Sequence, residues 1–185
     1  MYKELLATVY FADQLNQSAI GKEFASDAKE LKAAIQKHCW DERDGFFYSV
    51  DLNLQPVTNE PDNTLGRTFI IHAGYPNDYD CLIQRIEVWT GFMALWAGIA
   101  TPEKAERIVK EHYSNPKTFN SASGVRTLSK MEKMYSLRAS ANPSNWRGPI
   151  WGISNYMVFK GFQNWNYLVI NMIAWFEGKS IVEEF

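Results

Sequence analysis

Two tryptophans and an arginine fall close together in the stretch Asn142-Pro-Ser-Asn-Trp-Arg-Gly-Pro-Ile-Trp-Gly-Ile-Ser-Asn-Tyr156. An indole face packs on the C–H face of a sugar-like ring, and a guanidinium donates to hydroxyls or orients a carboxylate through a fixed fork. Trp146, Arg147 and Trp151 therefore suit a polyhydroxylated ligand. Gly148-Pro149 leads from them into a segment that reads as a helix. Proline fits the first helical turn, where its missing N–H has no partner to lose. Trp146 and Arg147 are thus expected in the loop just before a helix N-terminus, near free N–H donors and a positive field. The competing reading is structural: Arg147 stacked between the two indoles as a loop staple.

Other chemically able residues are weaker candidates. Asp41 and Asp44 lie in Asp41-Glu-Arg-Asp-Gly45, a turn by its composition, where short carboxylates bond nearby N–H groups and glycine supplies positive φ. They read as carboxylates closing that turn. His72 reads as a loop hydrogen-bonder and His112 as a helix C-terminal residue. Cys39 and Cys81 are the only two thiols and have no metal-ligand spacing around them, so they read as buried small hydrophobes without a disulfide. No spacing specifies a metal, cofactor or nucleotide site.

The elements that must position the stretch are helical. Residues 2–16 put Leu5, Val9 and Ala12 at helical spacing, with Leu6 and Leu15 beside them. After a break at 16–18, with Ser18 as a candidate N-cap, residues 19–38 put Phe24, Ala28, Leu31 and Ile35 on one face. Two such helices make an antiparallel hairpin. Phe46 to Val50 reads as an extended aromatic run. Residues 82–100 return to helix through Leu82, Ile86, Trp89, Met93, Ala97 and Ala100. Thr101-Pro102-Glu103 restarts one with a cap, a first-turn proline and an acid, and Asn115-Pro116 ends it. Helices are expected again at 150–161 and 164–177. Two long connections, up to about Tyr79 and from about Ser114 to Arg147, exceed the roughly 12–15 residues usual in compact domains. Helices as scaffold with long loops at one end is the economy of an α/α toroid.

The 185 residues, 46% of them hydrophobic, suffice for a single domain, 1–185, with a real core. A formal net charge of −2 leaves no basic footprint for nucleic acid. No stretch is long and apolar enough to span a membrane, and the start does not read as a signal peptide. A cytoplasmic location is the expectation. The seven tryptophans go with a packed core or with carbohydrate contact, and their number does not separate the two.

Trp146-Arg147-Gly148-Pro149-Ile150-Trp151, followed by Asn155-Tyr156 and Lys160-Gly161-Phe162, resembles the tryptophan-arginine-glycine-proline motif of glycoside hydrolase family 63. Trp40-Asp-Glu-Arg-Asp-Gly-Phe-Phe-Tyr48, Phe92-Met-Ala-Leu-Trp-Ala-Gly-Ile-Ala100, Pro116-Lys-Thr-Phe-Asn120 and Ser123-Gly-Val-Arg-Thr-Leu-Ser129 resemble further family stretches in the same order. The resemblance covers nearly the whole chain. It implies an all-α fold, part of an (α/α)6 toroid. The six helices expected here, in three hairpins with two long loops, are about half of one.

The resemblance further implies an inverting hydrolase of short α-glycosides, α-glucosides or mannosylglycerate-type, with a small oligosaccharide or glycoside as its partner. Such enzymes need a carboxylic acid and a carboxylate base roughly 6.5–9.5 Å apart. The family's acid lies in a Ser-Gly-x-Asp-x-Ser-Pro-type segment that these residues lack. Its base sits near the C-terminus, and Ile181-Val-Glu183-Glu-Phe185 matches the start of that stretch. Glu183 is therefore the candidate base, against the alternative that Glu183 and Glu184 are a solvated tail. Trp146, Arg147, Gly148 and Trp151 would line the sugar pocket. Activity would then need a larger or assembled enzyme. Helix faces left uncovered in half a ring imply a homo-oligomer or a partner chain. A non-catalytic carbohydrate-binding remnant and a helical interaction protein whose aromatics are all core remain as alternatives.

Overall fold

The computed structural model describes residues 1–51, 81–138 and 145–165. The connection carrying His72, the expected helix beyond Trp165, and Glu183 lie outside the described residues.

Helix α1 (Tyr2–Gln14) packs along helix α2 (Ser18–His38) as the expected hairpin. Ala12 and Ala28 are buried, Leu5, Val9, Phe24, Leu31 and Ile35 are half-buried, and Lys29, Glu30 and Lys37 face water. The period of the apolar residues thus set both inner faces. Ser18 is not the cap. Gln17 holds that place, because Asn16 turns the chain at φ 56° and the Gln17 N–H is spent on the Ala12 carbonyl at 2.8 Å. Helix α2 is tied to the next layer by polar groups. Lys32 Nζ donates to the Gly98 carbonyl at 2.9 Å and Gln36 Nε2 to that of Ile99 at 2.6 Å.

A tight antiparallel pair follows, β1 (Trp40–Asp41) with β2 (Phe46–Phe47). Its turn has the chemistry expected. Asp41 Oδ1 accepts from the Arg43 N–H at 2.9 Å, and Gly45 takes φ 68° as its N–H donates to the Asp41 carbonyl. Asp41 is buried and its carboxylate pairs with Arg85 and Arg43. Phe46 enters the centre of the core, fully buried with Phe92, Phe119 and Phe162. Cys39 and Cys81 carry free thiols.

The continuous helix expected over 82–100 is not formed. Leu82–Gln84 is a strand, β4, antiparallel to β3 (Ser49–Asp51). Val88 bridges to Leu128, and the Trp89 N–H donates to the Thr127 carbonyl at 3.0 Å. Leu82 and Ile86, which completed the helical pattern, are exposed. Cross-strand partners take the backbone groups that a helix would have used, so tertiary pairing overrides the local period. Only a 3-10 turn at Trp89–Phe92 and the short α3 (Met93–Ala97) remain, stopped by Gly98 at φ 73°.

Thr101 then caps α4 (Pro102–Arg107), accepting from the Lys104 N–H at 3.3 Å as its sequence predicts. The helix widens into a π-turn over Ile108–Tyr113. The long connection after it is not plain loop: β5 (Asn120–Ser121) and β6 (Gly124–Val125) form a hairpin, and Arg126 bridges to Ile150. Helix α5 (Gly152–Gln163) closes the described core. Pro149 lies before it, not in its first turn. The Pro149 carbonyl accepts from the backbone and hydroxyl of Thr127 at 3.3 and 2.8 Å, beside the Arg126–Ile150 bridge, which keeps Pro149 out of the helix. Gly161 lets α5 approach α3, since a Cβ there would stand 3.0 Å from the Trp96 nitrogen. The described residues are mostly helical, with five α-helices carrying short loop-borne ladders. None of those helices is long and apolar enough to cross a membrane.

Candidate functional site

The loop before α5 is built on two buried asparagines, Asn145 and Asn155, and the buried Thr127. Asn145, nearly buried, donates through Nδ2 to the Ser136 carbonyl at 2.8 Å and accepts at Oδ1 from the Arg147 N–H at 2.9 Å. Its own carbonyl accepts from Trp151 Nε1 at 2.8 Å. The Gly148 N–H donates to Thr127 Oγ1 at 3.2 Å. Gly148 needs to be glycine: its φ is 140°, and a Cβ would stand 2.5 Å from the Tyr135 ring. Behind the loop, Asn155 on α5 acts as a stand-in strand. Its Oδ1 accepts from the Val125 N–H at 2.7 Å, and its Nδ2 donates to the Val125 and Trp151 carbonyls at 3.1 and 3.0 Å.

This framework brings Trp146 and Trp151 face to face, with ring centroids 4.8 Å apart and planes 4° from parallel. That spacing leaves no gap for a guanidinium, so the staple with Arg147 between the rings is excluded. Arg147 is exposed and its backbone is fixed at both ends, the carbonyl accepting from the Ser136 N–H at 2.7 Å. A third ring, Trp89, lies 6.2 Å from Trp146 at 26°. The platform is therefore a stack of three indoles, of which Trp146 is 40% exposed. The helical N-terminus starts beside Trp151, its N-cap, and not beside Arg147. Trp146, Arg147, Gly148 and Trp151 thus come together in one rigid loop, whereas Glu183 lies outside the described residues.

Glu87, two residues before Trp89, forms an ionisable pair with the buried His112. His112 Nδ1 stands 3.2 Å from Glu87 Oε1, and His112 Nε2 lies 2.7 Å from the Asp44 carbonyl. Burial works to raise the Glu87 carboxyl, but its contacts with His112 and Ser129 outweigh it and hold the group below its ordinary value. Burial likewise works against the His112 cation, and Glu87 with the Asp44 carbonyl outweighs it, raising His112 above its ordinary value. Tyr48 is pushed far up, first by burial and then by Asp44 and Glu87, so its hydroxyl stays a donor to Asp44 Oδ2 at 3.1 Å. Among the described residues no group of three His, Cys, Asp or Glu side chains could hold a metal ion.

The model of the mannosylglycerate hydrolase MGH1-like glycoside hydrolase domain matches residues 1–175. The chain belongs to that family. Its membership bears out the resemblance to glycoside hydrolase family 63. The cytosolic neutral trehalase of Saccharomyces cerevisiae is 24% identical over 176 residues, covering 87% of this chain and 17% of the relative. Among solved structures, a sialidase superposes with a TM-score of 0.65 at 14% identity, over 90% of this chain and 13% of that one. The neutral trehalase Nth1 of the same yeast superposes with a TM-score of 0.53 at 21% identity, over 88% and 26%. At these identities the structural likeness concerns the fold. This member of the glycoside hydrolase family spans a small fraction of the length of its relatives.

Trp89, which stacks on Trp146, has no local signal for that place because it fits the apolar period of 82–100, and Glu87 and His112 have no spacing that links them, 25 positions apart. Asn155 did have a signal, since it stands in the family motif four residues after Trp151.

Proposed function

We propose that the chain forms part of an inverting glycoside hydrolase that acts on short α-glycosides, α-glucosides or mannosylglycerate-type substrates. Trp146, Arg147, Gly148 and Trp151 line the sugar site in this reading, and Glu183 is the general base. The observation that carries it is the loop itself: a backbone held by Asn145, Thr127 and Ser136 carries the partly exposed Trp146 and the exposed Arg147 at adjacent positions. Rigid support of exposed polar and aromatic groups is what sugar recognition needs, because the ordering cost is met before the ligand arrives. Arg147 would orient hydroxyls or a carboxylate, and Glu183 would draw a proton from water on the face opposite the leaving group.

The general acid would be supplied by a larger or assembled enzyme built around an (α/α)6 toroid. We extend the cytosolic location in the yeast relative's name to this chain as part of the same proposal. Hydrolysis is followed by NMR of the anomeric protons, with α-linked disaccharides and glycosyl-glycerates as substrates. Turnover with inverted configuration, lost in Glu183→Gln, is expected in the assembled enzyme. Turnover unchanged in Glu183→Gln would remove Glu183 from the mechanism. Sugar binding without any turnover would favour the carbohydrate-binding remnant.

The exposed apolar residues Leu6, Tyr10, Phe11 and Leu15 on and just after α1, with Ile20 on α2, support association with a second copy or a partner chain. Light scattering of the isolated chain is expected to show species larger than one protomer; a monodisperse monomer would contradict self-association.

A further inference from the structure

His112 and Glu87 make contacts that require a proton. The Asp44 carbonyl can only accept, so His112 Nε2, 2.7 Å away, must carry a hydrogen. With that hydrogen fixed, a neutral ring would turn its Nδ1 lone pair toward Glu87 Oε1 at 3.2 Å, lone pair against anion. An imidazolium turns the same contact into an ion pair, although it is not aligned as a hydrogen bond. His112 is only 5% exposed, so water does not relieve the repulsion that a neutral ring would suffer.

We propose that folded His112 is an imidazolium held by ionised Glu87, and that this buried proton positions the segment Glu87–Trp89, whose indole joins the tryptophan stack. The connection runs through the backbone of that segment. The Glu87 N–H donates to Glu132 Oε1 at 2.9 Å, and the Glu87 carbonyl accepts from the Ser129 N–H at 2.9 Å. Val88 bridges to Leu128, the Trp89 N–H is held by Thr127, and the Trp89 ring stacks on Trp146. On the other side, His112 lies over the Phe46 ring, centroids 4.5 Å apart, and its carbonyl accepts from Thr118 Oγ1. His112 also sits in the π-turn, a distortion that often marks a functional position.

The charges around the pair are mixed. Glu87 faces Nδ1, Glu111 is next in sequence and is engaged by Arg107 at 2.8 Å. Asp44 is bound by the Tyr48 hydroxyl, with Arg85 at 3.8 Å. Asp41 is paired with Arg85, and Glu132 is bound to the Glu87 backbone. The acids around His112 outnumber the cations, which favours the imidazolium.

The sign of the pH dependence follows from the two directions. His112 is raised from 6.5, so its contribution is complete below 6.5 and is lost as pH rises through its folded value. Glu87 is lowered from 4.5, so its contribution is complete above 4.5 and is lost as pH falls through its folded value. The pair's contribution to stability is therefore complete between 4.5 and 6.5 and is lost beyond the folded values on either side.

The ion pair needs no ligand and does not depend on sugar binding. Two-dimensional 15N NMR of the histidine rings, recorded against pH, reads the state of His112 directly. Both ring nitrogens of His112 are expected to be protonated at about pH 6, and to remain so above the pH at which a free histidine is half neutral. In Glu87→Gln the His112 titration is expected to move to lower pH. Tryptophan fluorescence is expected to follow the same step in the unmodified chain and to lose it in His112→Gln, whose amide can still donate to the Asp44 carbonyl. A neutral His112 tautomer at about pH 6, or a His112 titration unmoved in Glu87→Gln, would overturn the ion pair. A fluorescence step missing from the unmodified chain, or kept in His112→Gln, would overturn the coupling to the stack. Should His112→Gln fail to fold, a fluorescence step that moves with the His112 titration in Glu87→Gln supports the coupling, and one that stays put overturns it.

Discussion

Phe46→Ala is expected to destabilise the fold by about 3–5 kcal/mol, the range for removing a fully buried aromatic side chain. Phe46 is wholly buried and touches the rings of Tyr48, Phe92, Phe119 and His112, with centroids 4.5–5.6 Å away. The site cannot collapse easily around the gap. Gly91 lies against the ring so closely that a Cβ there would stand 2.3 Å from Phe46 Cε1, so one wall of the cavity is backbone. The other walls come from separate elements, each held by its own hydrogen bonds. Urea unfolding followed by far-UV circular dichroism measures the loss. A change below about 1 kcal/mol would mean that the aromatic cluster is not the keystone it is taken to be.

The second large effect is expected from Asn155→Ala, which would strand the Val125 N–H and carbonyl in a site where Asn155 is only 2% exposed. Two buried backbone groups without partners cost about 1–3 kcal/mol each, so a loss of about 2–6 kcal/mol follows. Asn155→Asp separates shape from chemistry. It keeps the acceptor for Val125 N–H, loses both donations, and buries a charge, so it should be no less harmful than alanine. Because Asn155 also holds the Trp151 carbonyl, near-UV circular dichroism should report disturbance of the indole stack in both variants. Wild-type stability in either would show that water or a backbone shift satisfies Val125.

The parts of the fold legible in the sequence are those fixed by local chemistry. The apolar periods of α1 and α2, the cap at Thr101 and the turn at Asp41–Gly45 all act within a few residues of themselves. The segment at 82–100 misled because its apolar spacing fits a helix, while its backbone is claimed by strands far away in sequence. Pro149 misled in the same way. Its composition allows a helical first turn, but Thr127 holds its carbonyl in an extended bridge. Trp146, Arg147, Gly148 and Trp151 stand out as candidates because they fall within six consecutive residues and carry a family motif. Trp89 joins them, and Glu87 meets His112, only through tertiary packing, for which the sequence holds no local sign.

Saturation-transfer NMR on the chain, with α-linked disaccharides and glycosyl-glycerates as ligands, tests the proposed sugar site most directly. Saturation is expected on the C–H protons of the sugar face. Arg147→Ala, whose side chain is exposed and outside the packed framework, is expected to keep the fold and weaken binding about 10–100-fold, the worth of a hydrogen bond to a charged group. No saturation of any sugar, or equal binding by Arg147→Ala, would contradict the placement of the site on this loop.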